Sequence, residues 1–208
     1  MLCIRNTYFY IKKSHNFHPF FCQFVIDNFT KCGIIETIYY FGVIMEQLRV
    51  TDNTIETPKT CAFTGHRELG KDFSARKLKI EIKALIEKGV DTFYNGMAVG
   101  FDLIAAETVL AFKRRYKHIK LIACIPCLDQ DKYFSDQDKK RYAKVCKAAD
   151  ERVVLFERYT NYCMQARDRY MAERADVLIT YCKKDTGGTA YTVRYFKKIH
   201  PENEIIFI

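Results

Sequence analysis

The chain has 208 residues, with 34 Lys and Arg against 25 Asp and Glu, which gives a formal net charge of +9. This length is enough for one domain with a hydrophobic core, and no apolar run is long enough to predict a membrane helix or a membrane partner. The basic residues are dispersed among acidic ones, so the charge alone does not indicate a nucleic-acid-binding protein.

The first 44 residues differ in composition from the rest, because Phe, Ile, Lys, Asn and Tyr supply 24 of them. The segment lacks the period of a helix or strand and the small-residue cleavage site of a signal peptide. We interpret 1–44 as a non-native or disordered extension, with Met45 as the true start. An aromatic extension that packs against or anchors something is the alternative. We then expect a linker over 45–57 and the folded domain over 58–208.

From Lys59 onward, strand-like and helix-like segments alternate. The apolar patterns predict strands and helices in turn. They are a strand at 59–63, a helix at 74–88, a strand at 91–94, a helix at 101–116, a strand at 120–125, a helix at 138–149, a strand at 152–156, a helix at 162–173, a strand at 176–181, a helix at 189–199 and a strand at 204–208. Ser74 is the predicted N-cap of the first helix, and Pro126 is predicted to stop the third strand.

This alternation predicts the fold class. Repeated βαβ units form a mostly parallel sheet, and right-handed crossovers place helices on both of its faces. We therefore expect an α/β fold: a single Rossmann-like, doubly wound domain. The sequence leaves the oligomeric state open, with a homo-oligomer as one alternative.

The nine cysteines are scattered, mostly within apolar strand-like runs. This distribution is typical of reduced, buried thiols and predicts a cytoplasmic protein. Cys124 and Cys127 form a C-x-x-C motif, but Cys124 lies inside a strand and Pro126 follows it, unlike a redox motif that opens a helix. No second cysteine pair completes a zinc site, so we predict no metal.

The loop after the first strand carries the first candidate binding residues: Thr64, Gly65, His66 and Arg67. Ligands of open α/β sheets gather where strands end and helices begin. A glycine there allows close backbone approach, His66 supplies a titratable group, and Arg67 supplies a forked cation. The pattern predicts a site for an anionic, nucleotide-like ligand.

Two further strand-to-helix loops contain glycines before a helix start, where backbone N–H groups favour an anion. The first holds Gly96, Gly100 and Asp102, and the second holds Gly187, Gly188 and Thr189. Parallel topology brings these loops to one edge of the sheet. Gln130 in the third loop is a further candidate for reading a base or sugar, although a plain polar loop residue is the alternative. Arg167 on the penultimate helix is also a candidate ligand-binding residue, although a surface ion pair with Asp168 is the alternative.

Taken together, these motifs resemble a known family. The matching segments are Phe63-Thr64-Gly65-His66-Arg67, Asn95-Gly96-x-Ala98-x-Gly100-x-Asp102 with Ala105-Ala106-Glu107, Pro126-x-x-x-Gln130, Arg167-Asp168-x-x-Met171 and Gly187-Gly188-Thr189-x-Tyr191-Thr192. They resemble the YpsA-like family of the SLOG superfamily, whose relatives include DprA and LOG-type phosphoribohydrolases. The resemblance covers about residues 58–208. It implies a Rossmann-like domain that binds a nucleotide or nucleotide derivative, with no settled reaction and no cofactor.

The chain departs from that pattern at two positions. Met97 stands where the family usually has a glycine, and Asp168 stands where it usually has Asn. The resemblance leaves three functions open. The first is a nucleotide-binding domain, a sensor or regulator in bacterial stress or cell division. The second is an N-glycosidic hydrolase of nucleoside monophosphates, and the third is DprA-like binding of single-stranded DNA.

The hydrolase alternative requires a catalytic carboxylate. Alignment of Gly188-Thr189 with the LOG-type motif places Thr192 where the catalytic Glu of that motif stands. Asp102 and Glu107 are then the candidate catalytic residues. Because the expected carboxylate is missing, the sequence favours binding over hydrolysis.

Overall fold

Strands and helices alternate along residues 59–208, the part of the chain that the computed structural model describes. The strands are β1 Lys59–Gly65, β2 Val90–Asn95, β3 Lys120–Cys127, β4 Glu151–Phe156, β5 Val177–Tyr181 and β6 Ile205–Phe207. The helices are α1 Ala75–Glu87, α2 Phe101–Lys113, α3 Asp136–Ala148, α4 Cys163–Ala172 and α5 Gly188–Ile199. The predictions for 1–44 and 45–57 lie outside the described residues.

The six strands form one sheet in the order β4-β3-β2-β1-β5-β6. All neighbouring strands pair in parallel. The chain builds outward from β1 to β4 and then crosses back to place β5 on the other side of β1. The strand order therefore reverses between β1 and β5, which is the position where ligands bind in sheets of this type. The predicted α/β, Rossmann-like fold is confirmed.

The helices cover both faces of this sheet. Alternate residues of β1 point to opposite faces, so Phe63 joins one core and Ala62 joins the other. The first core holds buried residues of α1, α2 and α3, and the second holds those of α4 and α5. Among residues 59–208, no helix combines the length and apolarity that a bilayer span requires.

Serine caps fix the start of two helices. Ser74 Oγ accepts a hydrogen bond of 3.1 Å from the Lys77 N–H, which confirms the predicted N-cap of α1. Helix α3 begins two residues before its predicted start because Ser135 caps it, accepting from the Asp138 N–H at 3.1 Å. Both serines satisfy an N–H group that would otherwise lack a partner in the first turn.

The prediction that Pro126 ends the third strand is wrong, because β3 continues to Cys127. Pairing between β2 and β3 ends at Asn95 and Ala123, so β3 has only β4 beside it from that point. A proline lacks the N–H that a central strand needs, but a strand with one neighbour tolerates it. The longer strand places Cys127 opposite Phe156 of β4.

Candidate functional site

A pocket of about 330 Å³ lies at the carboxyl ends of the strands, beside the reversal point between β1 and β5. It is lined by Phe63, Thr64, Gly65, His66, Arg67, Ala98, Asp102, Met164, Arg167, Asp168, Gly188 and Thr189. These residues come from the end of β1 and the loop after it, the loop before α2, the starts of α2 and α5, and the first two turns of α4. The volume is at the lower end of the range for small-molecule sites.

A buried arginine organises the floor of this pocket. Arg167 on α4 donates from Nε to Asp168 Oδ1 at 2.8 Å and from Nη1 to the Gly96 carbonyl. Its Nη1 also lies 3.9 Å from Asp102 Oδ2. Asp102, Arg167 and Asp168 are each at least nine-tenths buried. Two carboxylates therefore face one guanidinium in a low-dielectric setting, where the charged groups depend on each other.

Gly96 makes this arrangement possible because it has no Cβ. Its carbonyl accepts hydrogen bonds from Arg167 and, at 3.0 Å, from Gln130 Nε2. A Cβ on Gly96 would overlap the Arg167 guanidinium and approach Asp102 Oδ2 to 2.9 Å. Any larger residue at this position would displace the arginine. The glycine predicted to cradle a ligand thus makes room for a protein side chain.

Asp102 has an unusual environment in the first turn of α2. Its Oδ2 accepts from the Ala98 N–H at 3.4 Å, and its Oδ1 is buried with no hydrogen-bond partner among the described residues. Burial raises the pKa of the Asp102 carboxyl to about 7, with the Arg167 charge opposing the rise and the Asp168 charge adding to it. A carboxyl that titrates near neutrality and lines a pocket can donate or accept a hydrogen bond or proton.

Two hydrogen bonds of the Asn95 side chain hold the loop between β2 and α2 in place. Asn95 Oδ1 accepts from the Met97 N–H at 2.8 Å, and Asn95 Nδ2 donates to the Asp102 carbonyl at 2.8 Å. Met97 has a φ of 60°, in the left-handed region that favours glycine. Its side chain is fully buried in the first core. At this position the chain therefore keeps a glycine-like backbone but fills the core with a thioether.

His66 connects three neighbouring segments. Its Nε2 accepts a hydrogen bond of 2.8 Å from the Lys183 N–H, its own N–H donates to the Tyr181 carbonyl, and its carbonyl accepts from the Phe101 N–H. An Nε2 that accepts from an N–H places the ring proton of neutral His66 on Nδ1. Burial and the Lys184 charge lower the pKa of His66, which favours that neutral form. The histidine holds the loops after β1 and β5 together.

The positive side of the pocket comes from Arg67 and from α5. Arg67 is exposed and forms no ion pair with another described residue. Helix α5 begins at Gly188, and no side chain caps its first turn. The first N–H groups of a helix carry partial positive charge and bind anions readily. Arg67 and the start of α5 thus form the anion-attracting part of the lining.

Comparison with known proteins identifies the family. The YpsA model, described as the YspA SLOG family, matches residues 66–207. The chain belongs to this SLOG family. UPF0398 protein BH1768 of Halalkalibacterium halodurans is 29% identical over 136 residues, covering 64% of this chain and 72% of that protein. The SPbeta prophage-derived protein YoqJ of Bacillus subtilis is 28% identical over 142 residues, covering 60% and 82%.

Two solved structures share the fold of this SLOG domain. DNA processing protein A of Helicobacter pylori, described with a single-stranded DNA binding mode, superposes with a TM-score of 0.54 at 20% identity, covering 74% of this chain and 68% of that one. DprA of Streptococcus pneumoniae superposes with a TM-score of 0.52 at 21% identity, covering 73% and 50%. Similarity at this level of identity supports the fold alone.

Most of the residues predicted from sequence converge on the SLOG pocket, but some do not line it. Gln130 is not a lining residue, and its Nε2 donates to the Gly96 carbonyl. Glu107 accepts hydrogen bonds from Nε and Nη2 of Arg141 on α3. These bonds link α2 to α3 away from the pocket. Gly100 is the N-cap of α2, with its Cα beside the Arg67 carbonyl, and Gly187 is the N-cap of α5. Ligand contact stays a prediction for every candidate residue, those that line the pocket included.

The site predicted from the sequence leaves out four lining residues of this SLOG domain: Phe63, Ala98, Met164 and Asp168, the last of which was considered only as an ion-pair partner and a departure from the family pattern. Met164 lies three and four residues before Arg167 and Asp168, so all three share one face of α4. That spacing was a usable signal once Arg167 had been singled out. Phe63 and Ala98 sit inside the quoted motifs but carry no polar group that would mark them.

Proposed function

We propose that the pocket binds a nucleotide or nucleotide derivative. The observation that carries the proposal is the combination, in one pocket, of an uncapped α5 N-terminus, the exposed cation of Arg67 and the unpartnered buried Oδ1 of Asp102. A phosphate suits the first two, because both attract an anion. A sugar hydroxyl or base N–H suits the third, because a buried oxygen without a partner gains most from a donor.

The charge balance of the pocket supports this orientation of the ligand. The positive charge of Arg167 is offset by Asp168 at 2.8 Å and Asp102 at 3.9 Å, so it offers little net attraction. Arg67 has no such partner among residues 59–208, whereas the start of α5 lies near Asp168, whose Oδ2 is 4.0 Å from the position of a Cβ on Gly188. The phosphate would therefore lie against Arg67, and the uncharged part of the ligand would face Asp102.

We favour binding over hydrolysis for this domain. Thr192 Oγ1 donates to the Gly188 carbonyl at 2.9 Å, so the position of the LOG-type catalytic Glu is occupied by a side chain bonded to its own helix. Glu107 is engaged with Arg141. Asp102 is then the remaining candidate acid or base. Its raised pKa, about 7, would allow it to exchange a proton near neutral pH, as the hydrolase alternative requires. A binding domain of this kind would act as a cytoplasmic sensor or regulator.

Titration calorimetry of the full chain with a panel of nucleotides tests the proposal. The panel contains AMP, GMP, ADP-ribose and NAD, and we expect saturable binding of at least one of them. Arg67→Ala should weaken that binding by about 10-fold to 100-fold, which corresponds to loss of a charged hydrogen bond. The matched control, Arg114→Ala, removes an exposed arginine just after the far end of α2 and should leave binding unchanged.

Two results would count against the proposal in different ways. Absence of binding by every nucleotide, or equal losses in Arg67→Ala and Arg114→Ala, would contradict a phosphate site at Arg67. Chromatography of the same mixtures reports free base. Release of base that stops in Asp102→Asn would replace the binding proposal with hydrolysis.

A further inference from the structure

The partner of Cys127 is not the other cysteine of its C-x-x-C motif. Cys127 Sγ lies 4.0 Å from Cys163 Sγ, and both side chains are buried. Cys124 instead packs in the second core, where its thiol approaches the Ile122 carbonyl. The sequence separation of Cys127 and Cys163 is 36 residues, so only the fold brings the two thiols together.

The two thiols are placed so that a small movement would join them. Cys127 is the last residue of β3, and Cys163 is the first residue of α4. A disulfide needs a sulfur separation of about 2.05 Å, so the sulfurs must approach each other by about 2 Å. Both residues lie at element ends, where the backbone can shift more easily than within a strand or helix.

We propose that Cys127 and Cys163 form an oxidation site that a hydroperoxide such as hydrogen peroxide converts into a disulfide. The Cys163 sulfur attacks one peroxide oxygen, the O–O bond breaks, and the other oxygen leaves as water with the S–H proton, giving a sulfenic acid on Cys163. Cys127 then attacks that sulfur, the S–O bond breaks, and a second water leaves. The two thiols lose two electrons and two protons, and the peroxide is reduced to two waters.

The surroundings assign the order of the two steps. Cys163 opens α4, where the N-terminal end of a helix stabilises a negative charge. Burial raises the pKa of Cys127 to about 12, and a hydrogen bond to Asp129 and the neighbouring Cys163 add to the rise. Cys127 therefore remains a thiol until the sulfenic acid forms beside it. Because both sulfurs are buried, oxidation requires local opening at the start of α4, which follows the exposed segment 157–159.

The disulfide would tie the helix that shapes the pocket to the sheet. Helix α4 carries Met164, Arg167 and Asp168 into the lining, and its first residue is Cys163. A bond to β3 would shift the start of α4 and restrict its opening. An effect of oxidation on nucleotide affinity rests on the proposed function, whereas formation of the bond does not.

Peptide mass spectrometry of the full chain after peroxide treatment tests the site. Free thiols are alkylated under denaturing conditions, and we expect a disulfide-linked peptide pair joining Cys127 to Cys163 that dithiothreitol separates. Cys163→Ser should abolish the pair, and the control Cys124→Ser should retain it. In the wild type, the bond should raise Tm by roughly 5–10 °C, because it closes a long loop of the unfolded chain.

A linked pair that joins Cys127 to any other cysteine, or alkylation of both thiols after prolonged peroxide treatment, would overturn the proposal. Peptide mapping of the wild type needs no variant, so a Cys163→Ser chain that fails to fold leaves the test intact. Nucleotide titration is run separately on the reduced protein. Its failure would count against the proposed function and not against the disulfide.

Discussion

At the scale of single residues, Asp102 has the most unusual environment in the pocket, because it is a buried carboxyl that lines the pocket and lies beside an arginine. Its pKa of about 7 lies above its ordinary value of 3.8, and burial is the main cause. The folded protein therefore holds a proton on Asp102 over a range where the unfolded chain has already released it. Between the pKa of the unfolded chain and the pKa of the folded protein, the bound proton stabilises the folded state. This stabilisation is lost as the pH rises through the folded-state pKa.

This gives a prediction for Asp102→Asn, which keeps the shape of the side chain and removes its charge. Below about pH 4, Asp102 is neutral in both states, and the variant gains nothing over the wild type. As the pH rises from about 4 to 7, wild-type stability should fall relative to the variant by about 2–4 kcal/mol and then level off. Urea unfolding across pH 4–8 measures the difference. A difference that stays constant over this range would mean that Asp102 is ionised throughout.

The sequence identified the pocket residues better than it assigned their roles. Thr64, Gly65, His66, Arg67, Asp102, Arg167, Gly188 and Thr189 were all predicted, and all line one pocket. Two roles required coordinates. The bond from the Lys183 N–H to His66 and the approach of Arg167 to Asp102 both join residues that are distant in sequence, unlike the pair of neighbours Arg167 and Asp168. Spacing along a chain does not report such partners.

At the scale of elements, the loop between β2 and α2 depends on close packing around Gly96. Its Cα lies against the Arg167 guanidinium, and Arg167 cannot move without leaving Asp102 and Asp168 buried and unpaired. This loop therefore fixes the distance between α2 and α4 across the pocket. Removing one partner from a buried charge network is strongly destabilising.

We expect Gly96→Ala to lower the free energy of unfolding by about 2–4 kcal/mol, because its Cβ displaces Arg167. Gly188→Ala is the matched control. A Cβ there meets nothing closer than Asp168 Oδ2 at 4.0 Å, and alanine suits a helix start, so its effect should stay within about 0.5 kcal/mol. Denaturant unfolding compares them. Similar losses in both variants would show that Gly96 is not specially constrained.

Element types were predictable from periodicity, whereas element ends were not. All six strands and five helices between 59 and 208 were predicted, because apolar spacing reports which face is buried. The predicted end of β3 was wrong because Pro126 is tolerated only where β2 no longer pairs with β3. Where that pairing stops depends on the strand order of the sheet. Met97 illustrates the same limit: its left-handed backbone is compensated by core packing that no local pattern reveals.

At the scale of the whole molecule, the formal charge of +9 bears on the choice between a nucleotide and a nucleic acid. The fold is shared with DNA processing protein A of Helicobacter pylori, described as binding single-stranded DNA. In this chain, however, a basic stretch over 113–117, Lys113-Arg114-Arg115-Tyr116-Lys117, begins at the last residue of α2, at the end of the helix far from the pocket. Dispersed charge produces weak attraction to any polyanion, and salt screens it.

Binding of a labelled 20-nucleotide oligothymidine should therefore be weak at 50 mM salt and should fall about 10-fold or more by 200 mM, as expected for a few phosphate contacts. Nucleotide binding in the pocket should change much less over that range, because fewer charges are involved. Fluorescence anisotropy measures the first and calorimetry the second. Tight oligonucleotide binding that resists salt and is lost in Arg67→Ala would favour the DNA-binding alternative.

The central claim is that the pocket at the strand reversal between β1 and β5 holds a nucleotide. A ¹H–¹⁵N NMR titration of the full chain with the nucleotide that binds in calorimetry tests it most directly. We expect the largest amide shifts at Gly65, Arg67, Gly188 and Thr189, with smaller ones at Ala98 and Asp102. Largest shifts on the outer surface of α1, or along the basic stretch at 113–117, with these amides unmoved, would contradict it.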